Sequence, residues 1–302
     1  MAILVDEGTR IIIQGITGRE AAAAARDSLE YGARVVAGVT PGKGGTEVYG
    51  VPVFDAVRAA LAAHPADAAV IAVPAPAARE AALEALENGL PLVVLLTERI
   101  PRRDVVAILA RARELDARVV GPNCLGIISP GRSRAGIVGG RAADIGKAYR
   151  RGPVGVMSRS GGMTTEIANL LTQHGIGQST CVSVGGDPII GSTFVDLMPL
   201  FEQDQETRAV VIFGEPGGGA EEALADYIAT RRPRLPVVAY IAGRFADEMP
   251  GVRFGHAGTI VEGERGSTRG KIAALRQAGV LVAEDFSDIV PLARRCLGAV
   301  DP

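Results

Sequence analysis

The sequence predicts an α/β protein of two domains, each built on a parallel sheet. Three observations predict it. Short β-branched runs alternate along the chain with stretches rich in Ala, Leu and Glu, the pattern of parallel strands joined by crossover helices. The apolar runs lack strict alternation, as expected of strands covered on both faces. The chain has 302 residues, 47% of them hydrophobic, with 39 glycines and no tryptophan, which suits two ordinary aliphatic cores with many turns.

The first half reads as strand Arg10–Gln14, a helix to about Tyr31, strand Arg34–Val39, and a helix near Asp55–Ala63. Strand Ala68–Val73, a helix near Ala77–Asn88, strand Leu92–Leu96, helix Arg103–Leu115 and strand Arg118–Val120 complete it. A glycine-rich, charged stretch follows, from Pro130-Gly131-Arg132-Ser133 to Arg151-Gly152-Pro153. Such composition marks a boundary, and the domains are read as 1–130 and 131–302. The second half restarts with strand Val154–Met157, a helix from about Gly161, strand Ser179–Val184 and a helix from Ser192. Strand Ala209–Phe213, helix Ala220–Ala229, strand Val237–Ile241, a loop carrying His256, a helix near Thr268–Ala278, strand Val280–Ala283 and a terminal helix end it.

Composition excludes several classes. The net charge is −2 with no basic block, which argues against nucleic acid as a partner. Cys124, Cys181 and Cys296 form neither a CxxC pair nor a zinc pattern, so no metal set and no disulfide framework are expected. Residues Met1 to Glu7 lack the basic region and apolar run of a signal peptide, and no apolar stretch reaches membrane-spanning length. The expectation is a cytoplasmic protein with no membrane partner.

Two loops suggest a phosphorylated ligand. Gly15-Ile16-Thr17-Gly18-Arg19-Glu20-Ala21 follows the first strand as a GxxGxxA turn, where glycines admit a phosphate and the helix N-terminus attracts it. After the second strand a nicotinamide enzyme carries an acidic residue for the ribose. Here Thr40-Pro41-Gly42-Lys43-Gly44-Gly45 offers a cation instead, which suits coenzyme A better than NAD. Val73-Pro74-Ala75-Pro76 is apolar and rigid enough to form a slot for an adenine ring.

His256 is the reactive candidate. His64 and His174 sit at the ends of helices, whereas His256 lies between Gly255 and Ala257-Gly258 in a loop. Small neighbours leave an imidazole open to a reactant, as nucleophile or as acid and base.

In order and spacing these segments resemble the α subunit of the succinyl-CoA synthetase (succinate–CoA ligase) family. The resemblance rests on Gln14–Gly18, Gly38–Gly45, Val73–Pro76, Gly121-Pro122-Asn123-Cys124 and Ser158-Arg159-Ser160-Gly161. Gly185-Gly186-Asp187-Pro188, Gly214-Glu215 with Gly217-Gly218, and Gly255-His256-Ala257-Gly258 complete it. It implies a Rossmann-like CoA-binding domain followed by a flavodoxin-like ligase domain. It implies a CoA site formed by Thr17, Gly18, Arg19, Glu20, Lys43, Pro74, Leu96, Thr97 and Glu98. It also implies a phosphorylated His256 oriented by Glu215, with Asn123, Ser160, Gly161, Gly162 and Thr165 around the phosphate and a carboxylic acid substrate. The partner would be an ATP-grasp β subunit, in a heterodimer or heterotetramer, binding ATP or GTP with Mg²⁺. No GxxxxGK[ST] motif occurs in this chain, in keeping with a nucleotide held elsewhere.

Some residues depart from that pattern. Thr165 stands where the family's succinate-specific members carry a tyrosine, Leu125 replaces a proline, and Pro216 interrupts a Gly-Glu-Ile-Gly-Gly run. Ser158-Arg159-Ser160-Gly161-Gly162-Met163 and Phe254 look more like ATP-citrate lyase and citryl-CoA synthetase. A widened site taking a bulkier or hydroxylated acid, such as citrate or malate, is the alternative to succinate. A Thr165 hydroxyl bonded to that acid is the expectation that follows. A CoA-binding sensor without catalysis is the reading from another class; the paired His256 and Glu215 argue against it.

Overall fold

The structure is a computed structural model describing residues 2–244, 256 and 266–298. The first sheet is centred on β1 (Arg10–Gln14), flanked by β2 (Arg34–Val39) on one side and β5 (Ala68–Ile71) on the other. β3 (Glu47–Val48) and β4 (Val51–Phe54) extend it past β2, and β6 (Leu92–Leu95) and β7 (Arg118–Val120) past β5. All these pairs are parallel except the β3–β4 hairpin at the edge. Helices α1 (Arg19–Glu30), α2 (Val57–Ala63), α3 (Ala75–Glu87) and α4 (Arg102–Glu114) make the connections. β5 and β6 are buried at every position, which is why their sequences run apolar without alternation.

The second sheet repeats the plan around β10 (Arg151–Ser158), with β11 (Gln178–Ser183) on one side and β12 (Ala209–Gly214) on the other. β13 (Val237–Ile241) and β14 (Leu281–Val282) follow β12 in parallel. α6 (Gly161–Gln173), α7 (Phe194–Gln203), α8 (Ala220–Arg231), α9 (Thr268–Gln277) and α10 (Ile289–Leu297) are the helices around it. In both sheets successive strands leave the central one in opposite directions, and ligands of such sheets bind at the carboxyl ends of strands where the order reverses. That point lies beyond Gln14 and Ile71 in the first sheet, and beyond Ser158, Ser183 and Gly214 in the second.

The structure adds elements between Val120 and Arg151 that the sequence reading left unassigned. β8 (Gly126–Ser129) pairs antiparallel with β11, β9 (Ser133–Gly136) pairs with β8, and α5 (Ala142–Ala148) follows. The 130/131 boundary falls in the turn of that hairpin, whose first strand already belongs to the second sheet. So the sheets are mainly parallel rather than wholly so. One buried apolar cluster runs through both, joining Ile11, Val94 and Val120 to Ile127, Met157 and Ile212. No helix among the described residues is long and apolar enough to cross a membrane.

Candidate functional site

In the first domain, Gly15 leaves β1 with φ +84°, and a Cβ there would lie 2.5 Å from the carbonyl oxygen of Ala72. Only glycine lets the turn pass so close to the end of β5. The turn opens onto a cavity of about 650 Å³ lined by Gly18, Arg19, Glu20, Pro74, Leu96, Thr97 and Glu98, among others. The sequence placed those seven at a CoA site, and the fold brings them together. Gly136 and Ile137, at the end of β9, also line it, so the second sheet's hairpin contributes to its wall. Sequence reasoning missed both because it assigned no strand to that stretch and placed the domain boundary in it.

Thr17 and Lys43 do not line this cavity. Thr17 turns to the neighbouring loop, its hydroxyl 3.3 Å from that of Thr40. Lys43 is exposed on that same loop, which is braced by Asp55 accepting from the Gly44 N–H at 2.8 Å and by the Thr46 hydroxyl donating to the Lys43 carbonyl. Lys43 is thus exposed on a braced glycine loop outside the cavity lining.

The second domain brings Glu215 and His256 together at its strand ends. Glu215 follows β12 directly, and both its carboxylate oxygens face His256 Nδ1, at 2.8 and 3.1 Å. Arg159 follows β10, is buried, and donates from Nε to the same carboxylate at 3.2 Å. It also donates to the carbonyls of Gly186 and Asp187 beyond β11. A carboxylate with 10% of its side chain exposed thus sits between a guanidinium and an imidazole. The Glu215 hydrogen bond holds the His256 pKa above its ordinary value, against a desolvation that lowers it. If the neutral ring carries its proton on Nδ1, toward Glu215, then Nε2 is the basic nitrogen.

Gly186 closes one side of this imidazole. A Cβ there would lie 2.5 Å from His256 Cγ and Cδ2. The sequence offered Gly186 only as part of a motif; its role appears in the approach of two segments far apart in the chain. Gly255, Ala257, Gly258 and Phe254, which the sequence reading also used, lie outside the described residues.

Asn123 ties the two sites together. Its N–H donates to the carbonyl of Thr97, on the first-domain cavity, at 3.1 Å. Its carbonyl accepts from Gly186 N–H at 3.2 Å, and its side-chain amide donates to Asp187 at 2.9 Å. Cys124 beside it is buried and its thiol is pushed up to about 12, which removes it from nucleophilic chemistry and leaves a packing role.

Ser160 is the N-cap of α6, its hydroxyl accepting from Met163 N–H, and it follows Arg159 directly. The first-turn N–H groups at Gly161 and Gly162 have no intrahelical acceptor and favour an anion. Gly162 is exposed, with nothing within 4 Å of where a Cβ would stand. Thr165 behaves otherwise. Its hydroxyl is 2.9 Å from that of the buried Tyr149, the C-cap of α5, and burial holds that phenol's pKa well above its ordinary value. The hydroxyl expected to meet a substrate is therefore engaged in the seam between α5 and α6.

Residues 6–99 match the model of the CoA binding domain, and residues 157–281 that of the CoA-ligase domain. Fold, cavity and matches together define a CoA ligase. The chain is 50% identical to subunit α1 of succinate–CoA ligase (ADP-forming) from Archaeoglobus fulgidus, over 98% of this chain and 99% of that one. It is 44% identical to the corresponding α subunit of Aquifex aeolicus, over 100% of this chain and 96% of that one. The chain belongs to the family of succinate–CoA ligase α subunits. Among solved structures, ATP citrate lyase of Methanosaeta concilii, in complex with (3S)-citryl-CoA, matches at a TM-score of 0.92 and 28% identity. That match covers 98% of this chain, which spans half of the lyase chain.

Proposed function

We propose that this chain is the catalytic α subunit of a nucleoside-diphosphate-forming carboxylate–CoA ligase with succinate as its acid, paired with an ATP-grasp β subunit. The observation that carries the reading is the bond from Glu215 to His256 Nδ1, braced by Arg159. Nε2 of the neutral ring attacks the terminal phosphorus of ATP or GTP, which the partner holds with Mg²⁺, and the nucleoside diphosphate leaves. A substrate carboxylate oxygen then takes the phosphoryl group, forming an acyl phosphate and restoring the imidazole. The N-terminus of α6, from Ser160 to Gly162, supplies N–H groups to the phosphoryl group and the acid. The CoA thiol displaces phosphate from the acyl carbon. Pro74, Leu96 and Thr97 line the cavity that holds the CoA, and Lys43 meets one of its phosphates. Asn123 fixes the distance between thiol and phosphoryl group through Thr97 and Gly186.

The test is to incubate the co-purified αβ complex with γ-labelled nucleotide. Label on the α chain that survives base, is lost in mild acid, and is absent from His256→Ala supports the reading. Label persisting in His256→Ala overturns it.

A second acid is favoured by one observation: the open space at Gly162, where the sequence resembles ATP-citrate lyase. Phosphate release with citrate or malate in place of succinate measures it directly. A complex that turns over succinate alone removes this reading and leaves the first.

A further inference from the structure

Lys271 and Glu221 are both fully buried, yet no step of the proposed reaction uses them. Lys271 lies on α9 and Glu221 on α8, and their side chains form an ion pair with 0% exposure on either side. The ammonium also reaches Glu222 at 3.2 Å and the carbonyl of Gly218 at 3.3 Å. Sequestering a charged pair is weak evidence of added stability, because desolvation offsets much of the attraction. Its contacts point to another role.

Every arm of the cluster ends on the turn that carries Glu215 or on the chain next to that turn. The Glu221 carboxylate accepts from the Glu215 N–H at 3.4 Å. Gly214 has no room for a side chain, since a Cβ there would lie 2.6 Å from Glu221 Oε1. Lys271 holds the Gly218 carbonyl at the far end of the same turn. Glu222 accepts from the Gly266 N–H at 2.8 Å, and the Gly266 carbonyl accepts from the Gly217 N–H at 2.8 Å. The turn after β12 is thereby fastened to the start of α9 on one side and to Glu215 on the other. Among the described residues, the charged groups acting on His256 include Glu215, Arg159 and Asp187, and none of these three belongs to the cluster.

We propose that the Lys271–Glu221–Glu222 cluster is a positioning device that aims the Glu215 carboxylate at His256 Nδ1. This rests on the reading of His256 as phosphoryl carrier. With the clamp intact, Glu215 keeps the imidazole in one orientation and tautomer and retains protons on it at higher pH. With the clamp gone, Glu215 has other conformers, and both effects weaken.

The variant to make is Glu221→Gln with Lys271→Met. Removing both charges together avoids leaving the fully buried Glu221 uncompensated, as a single substitution at Lys271 would, while the partly exposed Glu222 keeps the Gly266 N–H. Two quantities are compared with wild type: the His256 titration midpoint, from ring-proton NMR of the full chain, and the rate of its labelling from ATP in the αβ complex. The chain has only three histidines, so the signals resolve, and His256→Asn assigns the one that matters. We expect a midpoint lowered toward that of a free imidazole and labelling slowed about tenfold, with the melting temperature retained. A folded variant with wild-type midpoint and rate overturns the proposal. Should the double variant not fold, Glu221→Gln alone, which leaves Lys271 paired with Glu222, must shift the midpoint in the same direction; no shift overturns the proposal too. Wild type that takes no label fails the phosphohistidine reading instead, while the midpoint still reports on the clamp.

Discussion

The two candidate sites are built in opposite ways. The cavity of the first domain is open, with exposed Arg19 and apolar Val73, Pro74 and Leu96 in its lining. The His256 site of the second domain is made of charges in contact, with Arg159 and Glu215 buried and fixed by named partners. Shape and exposed cations suffice to hold a ligand that arrives already made. Passing a phosphoryl group between reactants requires charges aligned in advance, because reorganising them during the reaction raises the barrier. The contrast predicts that small changes in the second site alter rate strongly, while changes in the first alter affinity moderately.

The largest effect is expected from one methyl group. Gly186→Ala places a Cβ in the His256 ring, and the imidazole or the Gly186 turn must move. We expect labelling of His256 to fall by about a hundredfold or more, since misplacement of about an ångström costs that much. CoA affinity by calorimetry should stay within about twofold. Near-normal labelling would show that the pair tolerates displacement and would blur the contrast.

Glu215→Gln should act next most strongly. An amide can still accept from the ring but carries no charge. Glu215 raises the His256 pKa, so the ring stays protonated to higher pH, and only the neutral ring is nucleophilic. In wild type, labelling should therefore rise with pH through a midpoint above the model-peptide value of about 6.5. In Glu215→Gln that acid limb should move to lower pH. The plateau rate should fall by about ten- to a hundredfold, as an orienting carboxylate matters by orders of magnitude in other triads. An unshifted limb with an unchanged plateau removes Glu215 from the mechanism.

Lys43→Ala tests the first site. Loss of a charge-assisted contact costs about 1–3 kcal/mol, so CoA should bind about tenfold more weakly while His256 labelling is unaffected. Unchanged CoA affinity would mean that the lysine stays in solvent with ligand bound, and that Arg19 or backbone groups hold the phosphates.

What the sequence made legible follows the same division. The cavity residues Gly18 to Glu20 and Pro74 sit at strand ends readable from apolar runs and glycine turns, while Leu96, Thr97 and Glu98 came from the family resemblance. His256 and Glu215 stood out because a motif placed them. The residues that set their geometry did not. Arg159 and Gly186 act through approaches that no spacing encodes. Charged residues were least legible: Arg134 falls in the stretch read as a domain boundary, yet it is 1% exposed and donates to Ser28, Val138 and Gly140. Lys271 and Glu221, on helices the sequence did predict, are likewise fully buried with no sign of it in the pattern. A pattern of polarity predicts exposure only when no buried partner waits for the charge.

Thr165→Val is expected to have the smallest effect on catalysis, and it decides what α6 contributes to acid choice. The substitution keeps the branched shape and removes the hydroxyl that meets Tyr149 at 2.9 Å. The buried phenol then loses that partner, which costs about 1–3 kcal/mol when nothing replaces it. Denaturant unfolding should show this as a lowered midpoint with an unchanged slope. If the Thr165 hydroxyl serves only the seam between α5 and α6, kcat/KM for succinate relative to citrate should change less than about twofold. A site that hydrogen-bonds a substrate hydroxyl loses orders of magnitude of discrimination when the bond is removed. A large shift in that ratio, with little loss of stability, would therefore return Thr165 to the acid and make Tyr149 the residue that orients it.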